Sequence, residues 1–342
     1  MDALVIHASG DLRVEDVPTP EIGPTQLRVR VRCGGICGSD LHYYQHGGFG
    51  TVRIQEPMVL GHEVAGVIEA VGDGVEGWHA GEGAVLQPAA GCGSCGECLA
   101  GSYHRCIESL TGSGTTRPGG YAELMAARAD RLRPLPAGLA PEVACLAEPL
   151  SVAIHGIRRV GGPRDGEDAI VLGLGSIGLL ATAALRWLGA GRVFGADPVE
   201  VRRGLASDLG AHAVAAGARE LRAEVDGSPL VLECSGRPEA IQQAIDLASP
   251  GGRVALLGIA VAEVTVIPVF WITREITVAG SINSRFEDFD EALGLLAVRP
   301  EVAGIVTARI PLQEVPATFE ALLHPSGLGK VVIDPRLPGA AK

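Results

Sequence analysis

Residues 169–178 read Ala169-Ile170-Val171-Leu172-Gly173-Leu174-Gly175-Ser176-Ile177-Gly178, an apolar tetrad running into G-x-G-x-x-G. The tetrad has the length and composition of a strand buried on both faces, and Ile177 to Leu188 continues as an apolar helix. A glycine-rich turn joining such a strand to such a helix is a dinucleotide-binding arrangement. Gly173 allows the tight turn. Gly175 lets the backbone approach a pyrophosphate seated on the helix N-terminus, beside Ser176 and Ile177, and Gly178 permits close packing of helix on strand. The same glycines interrupt the seventeen uncharged residues from Ala169 to Leu185, which therefore read as strand, turn and helix, not as a membrane span.

Outward from this turn the pattern repeats. Arg192 to Ala196 reads as a second strand ending at Asp197, nineteen residues after Gly178. A carboxylate there accepts two hydrogen bonds from a ribose diol and repels a 2′-phosphate, which favours NAD over NADP. Arg202 and Arg203 follow; they stack on adenine, soften the exclusion of NADP or are solvated helix residues, the last being the reading for Arg203. Strands at Leu230 to Glu233, Arg253 to Leu257 and Ile276 to Ala279 alternate with helices, the first at Ser151 to Arg159. This is an α/β pattern, a doubly wound parallel sheet over 151–280.

Residues 1–150 differ. Leu27-Arg28-Val29-Arg30-Val31 alternates apolar and charged, Val64 to Val71 and Gly83 to Leu86 read similarly, and Gly and Pro punctuate them densely. An irregular, mostly antiparallel β domain is expected. The tail, 281–342, offers helices at Phe289 to Ala297 and near Ala317 to Leu323, then a strand at Lys330 to Ile333. It is too short to stand alone and is expected to complete the N-terminal domain, making the parallel-sheet domain an insertion.

The 342 residues carry a formal net charge of −12, which disfavours nucleic acid and anionic membrane surfaces. The first residues, Met1 to Val5, show no basic segment leading an apolar run, and a cytoplasmic protein is expected. Its eight cysteines are then candidates for metal binding rather than disulfides.

Four of them, Cys92, Cys95, Cys98 and Cys106, form C-x2-C-x2-C-x7-C, spacing that wraps four thiolates around one Zn²⁺ with no open position. A second set is spread out: Cys37-Gly38-Ser39-Asp40-Leu41-His42 on a loop after a strand, Gly61-His62-Glu63, and Glu148-Pro149. Cys, His and carboxylate make a zinc set that leaves a position for water or substrate. Ser39 is placed to take a proton from a hydroxyl there and His42 to carry it to solvent. Read singly, Cys37 is equally a core thiol, His62 a satisfied histidine and Glu148 a carboxylate at a helix N-terminus. Cys33, Cys145 and Cys234 read as buried structural thiols.

Together these motifs resemble, from end to end of the chain, the zinc-containing medium-chain alcohol and polyol dehydrogenases. The resemblance implies a GroES-like catalytic domain joined to a Rossmann domain, two zinc ions per chain, NAD, and a homo-dimer or homo-tetramer paired through Rossmann sheet edges. Cys37 and His62 would hold the catalytic zinc with Glu148 or Glu63. Glu148, where many members have cysteine, resembles the sorbitol dehydrogenase branch. Cys33 to Gln45 and Pro57 to Val64 resemble L-idonate 5-dehydrogenases, and sorbitol dehydrogenases share much of both. The resemblance further implies Tyr43 in the substrate pocket and cofactor contacts from Ser235, Leu257, Ile259 and Ile282. The Arg285-Phe286 pair stands about two positions from the Arg-aromatic pair usual in sorbitol dehydrogenases. The expected reaction is oxidation of a secondary alcohol of a sugar acid or polyol. The alternatives are sorbitol or xylitol oxidation, threonine or 2,3-butanediol oxidation, and a non-catalytic zinc-stabilised NAD-binding protein. For a sugar acid, Arg53, Arg117 and Arg285 are candidate partners of the carboxylate.

Overall fold

The structure, a computed structural model, describes residues 1–110, 114, 117–324 and 327–339. The six parallel strands run in the order Ala213–Ala215, Val193–Ala196, Ala169–Leu172, Ser228–Glu233, Ala248–Leu256 and Thr277–Gly280. The first strand in sequence, Ala169–Leu172, thus lies at the centre. Order reverses there, leaving a crevice at the carboxyl ends of the strands. Strand alternation divides the core. Ala169 and Val171 pack on one face with the helices Ala147–Arg159, Ser176–Trp187 and Phe286–Val298. Ile170 and Leu172 pack on the other with Phe194, Leu221 and Leu247. Both faces are covered, which is why these strands read as unbroken apolar runs.

The other sheet is built around Gln26–Gly35. It pairs antiparallel with Glu63–Val71 and Leu124–Arg128, and also with Lys330–Ile333. Glu63–Val71 continues to Gly83–Leu86 and then Leu132–Pro134, while Lys330–Ile333 continues to Val306–Ile310. The last strand of the chain is therefore built into the N-terminal sheet. At one level of it, Gly35 lies opposite Glu63 on one side and Val332 on the other.

Two expectations change. Cys37 to His42 is not a loop: Gly38–His46 is a helix with Cys37 as its N-cap. Asp40 explains it, because its carboxylate accepts the Cys37 N–H at 2.9 Å and closes the first turn. Gly47, at φ +68°, ends it in the left-handed conformation. The helix expected from Ser151 begins four residues earlier, at Ala147, and takes Glu148-Pro149 into its first turn. Proline is tolerated there because that turn's N–H groups have no intrahelical partner. No described helix is long and apolar enough to cross a membrane.

Candidate active site

The N-terminal sheet and the Gly38–His46 helix bring three of the expected residues together. Donor atoms of Cys37, His62 and Glu63 all lie within 4.8 Å of one another. Cys37 ends the central strand's excursion, and His62-Glu63 opens the strand beside it. His62 is buried, with Nδ1 3.7 Å from Asp40 Oδ1, near enough for the charges to interact but too far for a hydrogen bond. Asp40 is itself fixed, with the Tyr121 hydroxyl 2.5 Å from Oδ2 and 2.6 Å from the Gly35 carbonyl oxygen. A carboxylate this close to a histidine raises its basicity. Burial lowers the His62 pKa, but Asp40 and Cys37 outweigh it and the net shift is upward.

Glu63 is held from the far side. Its carboxylate pairs with the fully buried Lys330, whose ammonium also donates to the Ile36 carbonyl oxygen at 2.8 Å. Burial works against the charge on Lys330, and the Glu63 carboxylate more than compensates, holding its pKa above the ordinary value. Glu148 stands apart from the trio and faces the cleft. Burial pushes its carboxyl up to about 7, against the pull of His62 and with a further push from Glu63.

Cys37, Ser39, His62 and Glu148 line a cavity of about 170 Å³ between the two sheets. Its far wall is Leu257, Ile259 and Ile282, from the loops at the carboxyl ends of the parallel strands, with Ile177 from the first turn of the Ser176–Trp187 helix. Phe49, Pro88, Val152, Ser109 and Asn283 complete it. Tyr43 lies one layer back, fully buried, with its ring 5.7 Å from that of Phe49. His42 is half-buried, and burial followed by His46 lowers its pKa. Of the arginines, Arg117 pairs with Glu108. Arg285 does not line this cavity, and Phe286 stacks on Tyr103 at 4.6 Å. That Arg-aromatic pair thus sits by the cysteine lobe, and Asn283 takes the place at the cleft.

A second cavity, about 450 Å³, opens at the crevice of the parallel sheet and is lined by Gly173, Gly175, Asp197, Arg202 and Ser235. A side chain on Gly178 would meet the Gly173 carbonyl oxygen at 1.8 Å, so helix and strand touch there. One on Gly175 would meet nothing within 4 Å, so that face is open to a ligand. Asp197 is buried, accepting the Leu174 N–H and the Val199 N–H at 2.8 Å each. Arg202 Nη1 lies 3.8 Å from Asp197, and Arg203 turns back to the Asp197 and Pro198 carbonyl oxygens.

The four cysteines of the lobe also converge within 4.8 Å. Cys92 and Cys98 sulfurs are 3.9 Å apart, and four sulfurs at zinc–sulfur bond length in a tetrahedron stand about 3.8 Å apart. The Cys95 and Glu108 N–H groups donate to Cys92 and Cys106 sulfurs at 3.3 Å. Hydrogen bonds from Ser94, then from Cys95, pull the Cys92 thiol down to about 6, while Cys95, against the pull of a Cys98 backbone bond, is pushed up to about 11 by its side-chain bond with Cys98 and by burial. Asp40 and Lys330 escaped the sequence reading. Asp40 carries a signal, three residues after an N-cap; Lys330, nearly three hundred residues from Ile36, carries none.

Residues 23–137 match the alcohol dehydrogenase GroES-like domain family, and 176–298 match the zinc-binding dehydrogenase family. Over 336 residues the chain is 33% identical to an L-threonine 3-dehydrogenase of Anaeromyxobacter sp. (strain Fw109-5), covering 96% of this chain and 97% of that one.

The chain belongs to the zinc-dependent medium-chain alcohol and polyol dehydrogenases.

Human sorbitol dehydrogenase, another member, is 32% identical over 95% of this chain and 94% of its own. The crystal structure of L-idonate 5-dehydrogenase from Escherichia coli superposes with a TM-score of 0.86 at 26% identity, covering 97% of each chain. These members act on different alcohols, so membership of the family defines the reaction class and leaves the alcohol to the cleft.

Proposed function

We propose that this dehydrogenase oxidises a secondary alcohol of a sugar acid or polyol with NAD, in the manner of L-idonate 5-dehydrogenases. The observation that carries the reading is the convergence of Cys37, His62 and Glu63. The first two line the floor of a cleft whose opposite wall belongs to the dinucleotide side, and Glu63 is buried behind it. In this reading those three residues hold one zinc, Glu148 faces the substrate side of it, and Cys92, Cys95, Cys98 and Cys106 hold a second. Gly173, Gly175, Ser176, Gly178, Asp197 and Arg202 would hold NAD, and Ser235, Ile177, Leu257, Ile259 and Ile282 would line the way from there to the cleft. When bound, zinc supplies Lewis acidity that makes a hydroxyl easier to deprotonate, and NAD supplies the hydride acceptor.

The chain's own residues do the rest. Ser39, at the cleft wall, takes the hydroxyl proton as it passes its own on towards His42. His42 lies one turn further along the same helix, and its lowered pKa keeps it neutral and ready to take that proton towards solvent. The apolar wall keeps water from competing for hydride. Residues 1–150 with 281–342 form the catalytic unit and 151–280 the cofactor unit; the pairing of Lys330–Ile333 with Gln26–Gly35 supports this division. Exposed Ile267, Val269 and Ile272 near the edge strand Thr277–Gly280 support a homo-oligomer joined at that edge. Threonine oxidation is a second reading, supported by the name of the Anaeromyxobacter relative.

Initial rates with NAD and NADP on L-idonate, D-gluconate, sorbitol, xylitol, L-threonine and 2,3-butanediol test the reading. The expected result is NAD-dependent turnover of a sugar acid or polyol. Cys37→Ser is expected to abolish it with unchanged circular dichroism and a fall from two zinc ions per chain to one. Retained turnover in Cys37→Ser defeats the assignment, and preference for L-threonine favours the second reading.

A further inference from the structure

We propose that the cavity next to the cleft is an anion subsite, in which Arg53 binds a carboxylate or phosphate at the far end of the substrate. The inference rests on the reaction proposed above and adds the charge of the substrate to it. The outer cavity, about 700 Å³, contains Arg53 and His46 and shares Phe49, Ile259 and Ile282 with the cleft. A substrate too long for the cleft continues into it. Arg53 is placed by a short hairpin in which Gly48 pairs with Arg53 and Phe49 with Val52. The hairpin is tied to the end of the Gly38–His46 helix by the Ile54 N–H, which donates to the Gly47 carbonyl oxygen at 3.0 Å. The element that carries Ser39 thus also positions Arg53.

Position and charge together single this arginine out. Other described arginines, Arg32, Arg159 and Arg219 among them, also lack an acidic partner, but Arg53 is the one arginine among the described residues lining the outer cavity. Arg53 donates to the Val52 carbonyl oxygen at 3.0 Å, and no Asp or Glu pairs with it among the described residues. Arg117, by contrast, is paired with Glu108. At the inner end of the path stands Glu148. The only guanidinium among the described residues on the path is at its outer end, so the anionic end of the substrate is drawn outward to Arg53. The hydroxyl that reaches Cys37 and His62 is then one remote from the anionic group. A guanidinium binds either anion in a two-pronged hydrogen bond, so carboxylate and phosphate esters share this chemistry.

The test uses the zinc-loaded full chain with NAD, comparing wild type, Arg53→Gln and Arg53→Lys. The probes are L-idonate for the carboxylate, galactitol 1-phosphate for the phosphate and sorbitol for the neutral alcohol. Wild type is expected to favour one of the anions over sorbitol. Arg53→Gln is expected to raise KM for that anion, and its Kd by calorimetry, at least tenfold, with kcat and the sorbitol constants within twofold. Arg53→Lys is expected to recover part of the loss. If Arg53→Gln changes all three probes alike, or none, the anion subsite is overturned. If sorbitol is preferred over both anions and Arg53→Gln is silent, the subsite falls while the dehydrogenase reading stands. If wild type oxidises none of the three, that reading fails, and a calorimetric Kd for the anions unchanged in Arg53→Gln overturns the subsite separately.

Discussion

The Glu63 carboxylate and the Lys330 ammonium meet across the backbone of Gly35, with side-chain exposures of 1% and 0%. A side chain on Gly35 would meet Glu63 Oε2 at 2.0 Å and Lys330 Cε at 2.7 Å, so the pair exists only because that residue is glycine. Removing one partner of a buried pair leaves an unpaired charge, at a cost of about 3–5 kcal/mol. In the metal-free chain, where Lys330 is the cation paired with Glu63, Lys330→Met should therefore lower unfolding stability in urea by that amount. Lys330→Met with Glu63→Gln should lose less, since no charge is left stranded. A Lys330→Met chain as stable as wild type would sink the argument.

The two cysteine sites should separate under mutation. The four-cysteine lobe has little apolar core of its own, its helical pieces being only four, three and four residues long. Metal binding energy is then folding energy for that segment. Cys98→Ser should remove one zinc and expose the lobe to proteolysis around 92–106, with the cleft zinc retained. Cys37→Ser should remove the other zinc with the lobe still protected. Metal analysis of each variant, paired with limited proteolysis, checks both; loss of both ions from either variant contradicts the separation.

Asp197 carries two loads. Its oxygens accept N–H groups from the glycine turn and from Val199, and its charge faces the cavity where a ribose would sit. Asp197→Asn keeps an acceptor oxygen and loses the charge. It should weaken NAD about tenfold, the order of one charge-assisted hydrogen bond, and narrow the gap to NADP. Quenching of tryptophan fluorescence on titration with each dinucleotide measures this. An unchanged NAD to NADP ratio of Kd values would place the discrimination elsewhere.

How much of this was legible in the sequence follows from how local each determinant is. Strand, turn and helix at 169–188 are specified within twenty residues by burial on both faces and three glycines, and the structure reproduces them to within a residue. The cysteine lobe is local as well. The Gly38–His46 helix was missed because nine residues give little periodicity and its decisive feature is one carboxylate, Asp40, reaching its own N-cap. Lys330, Asn283 and Ser109 reach the site through the return of the chain or through loops, and no spacing rule ties them to Cys37. The displaced Arg285-Phe286 pair was visible as a departure, but not that it would stack against Tyr103.

Asp288 joins two helices that frame the cleft. Its Oδ2 is 2.7 Å from His155 Nδ1 and accepts the Arg285 N–H at 3.1 Å, while its Oδ1 accepts Arg158 Nη1 at 2.7 Å. From the same helix pair, Ser284 Oγ is 2.7 Å from Ser151 Oγ, which donates to the Glu148 carbonyl oxygen at 2.6 Å. Burial works to raise the Asp288 pKa, but His155, Arg158 and the Arg285 N–H outweigh it and hold the carboxyl below its ordinary value. A depressed carboxyl contributes stability that is complete above its unfolded pKa, about 3.9, and is lost as pH falls through the lower folded value. Asp288→Asn should thus cost about 1–3 kcal/mol at pH 7 and at pH 5, about the penalty for leaving buried partners unsatisfied. The difference from wild type should shrink below about pH 4, as wild type itself becomes protonated. Urea unfolding of both chains across that range decides it, and a difference that stays constant or widens in acid would show that the carboxylate's charge is not what binds the helices together.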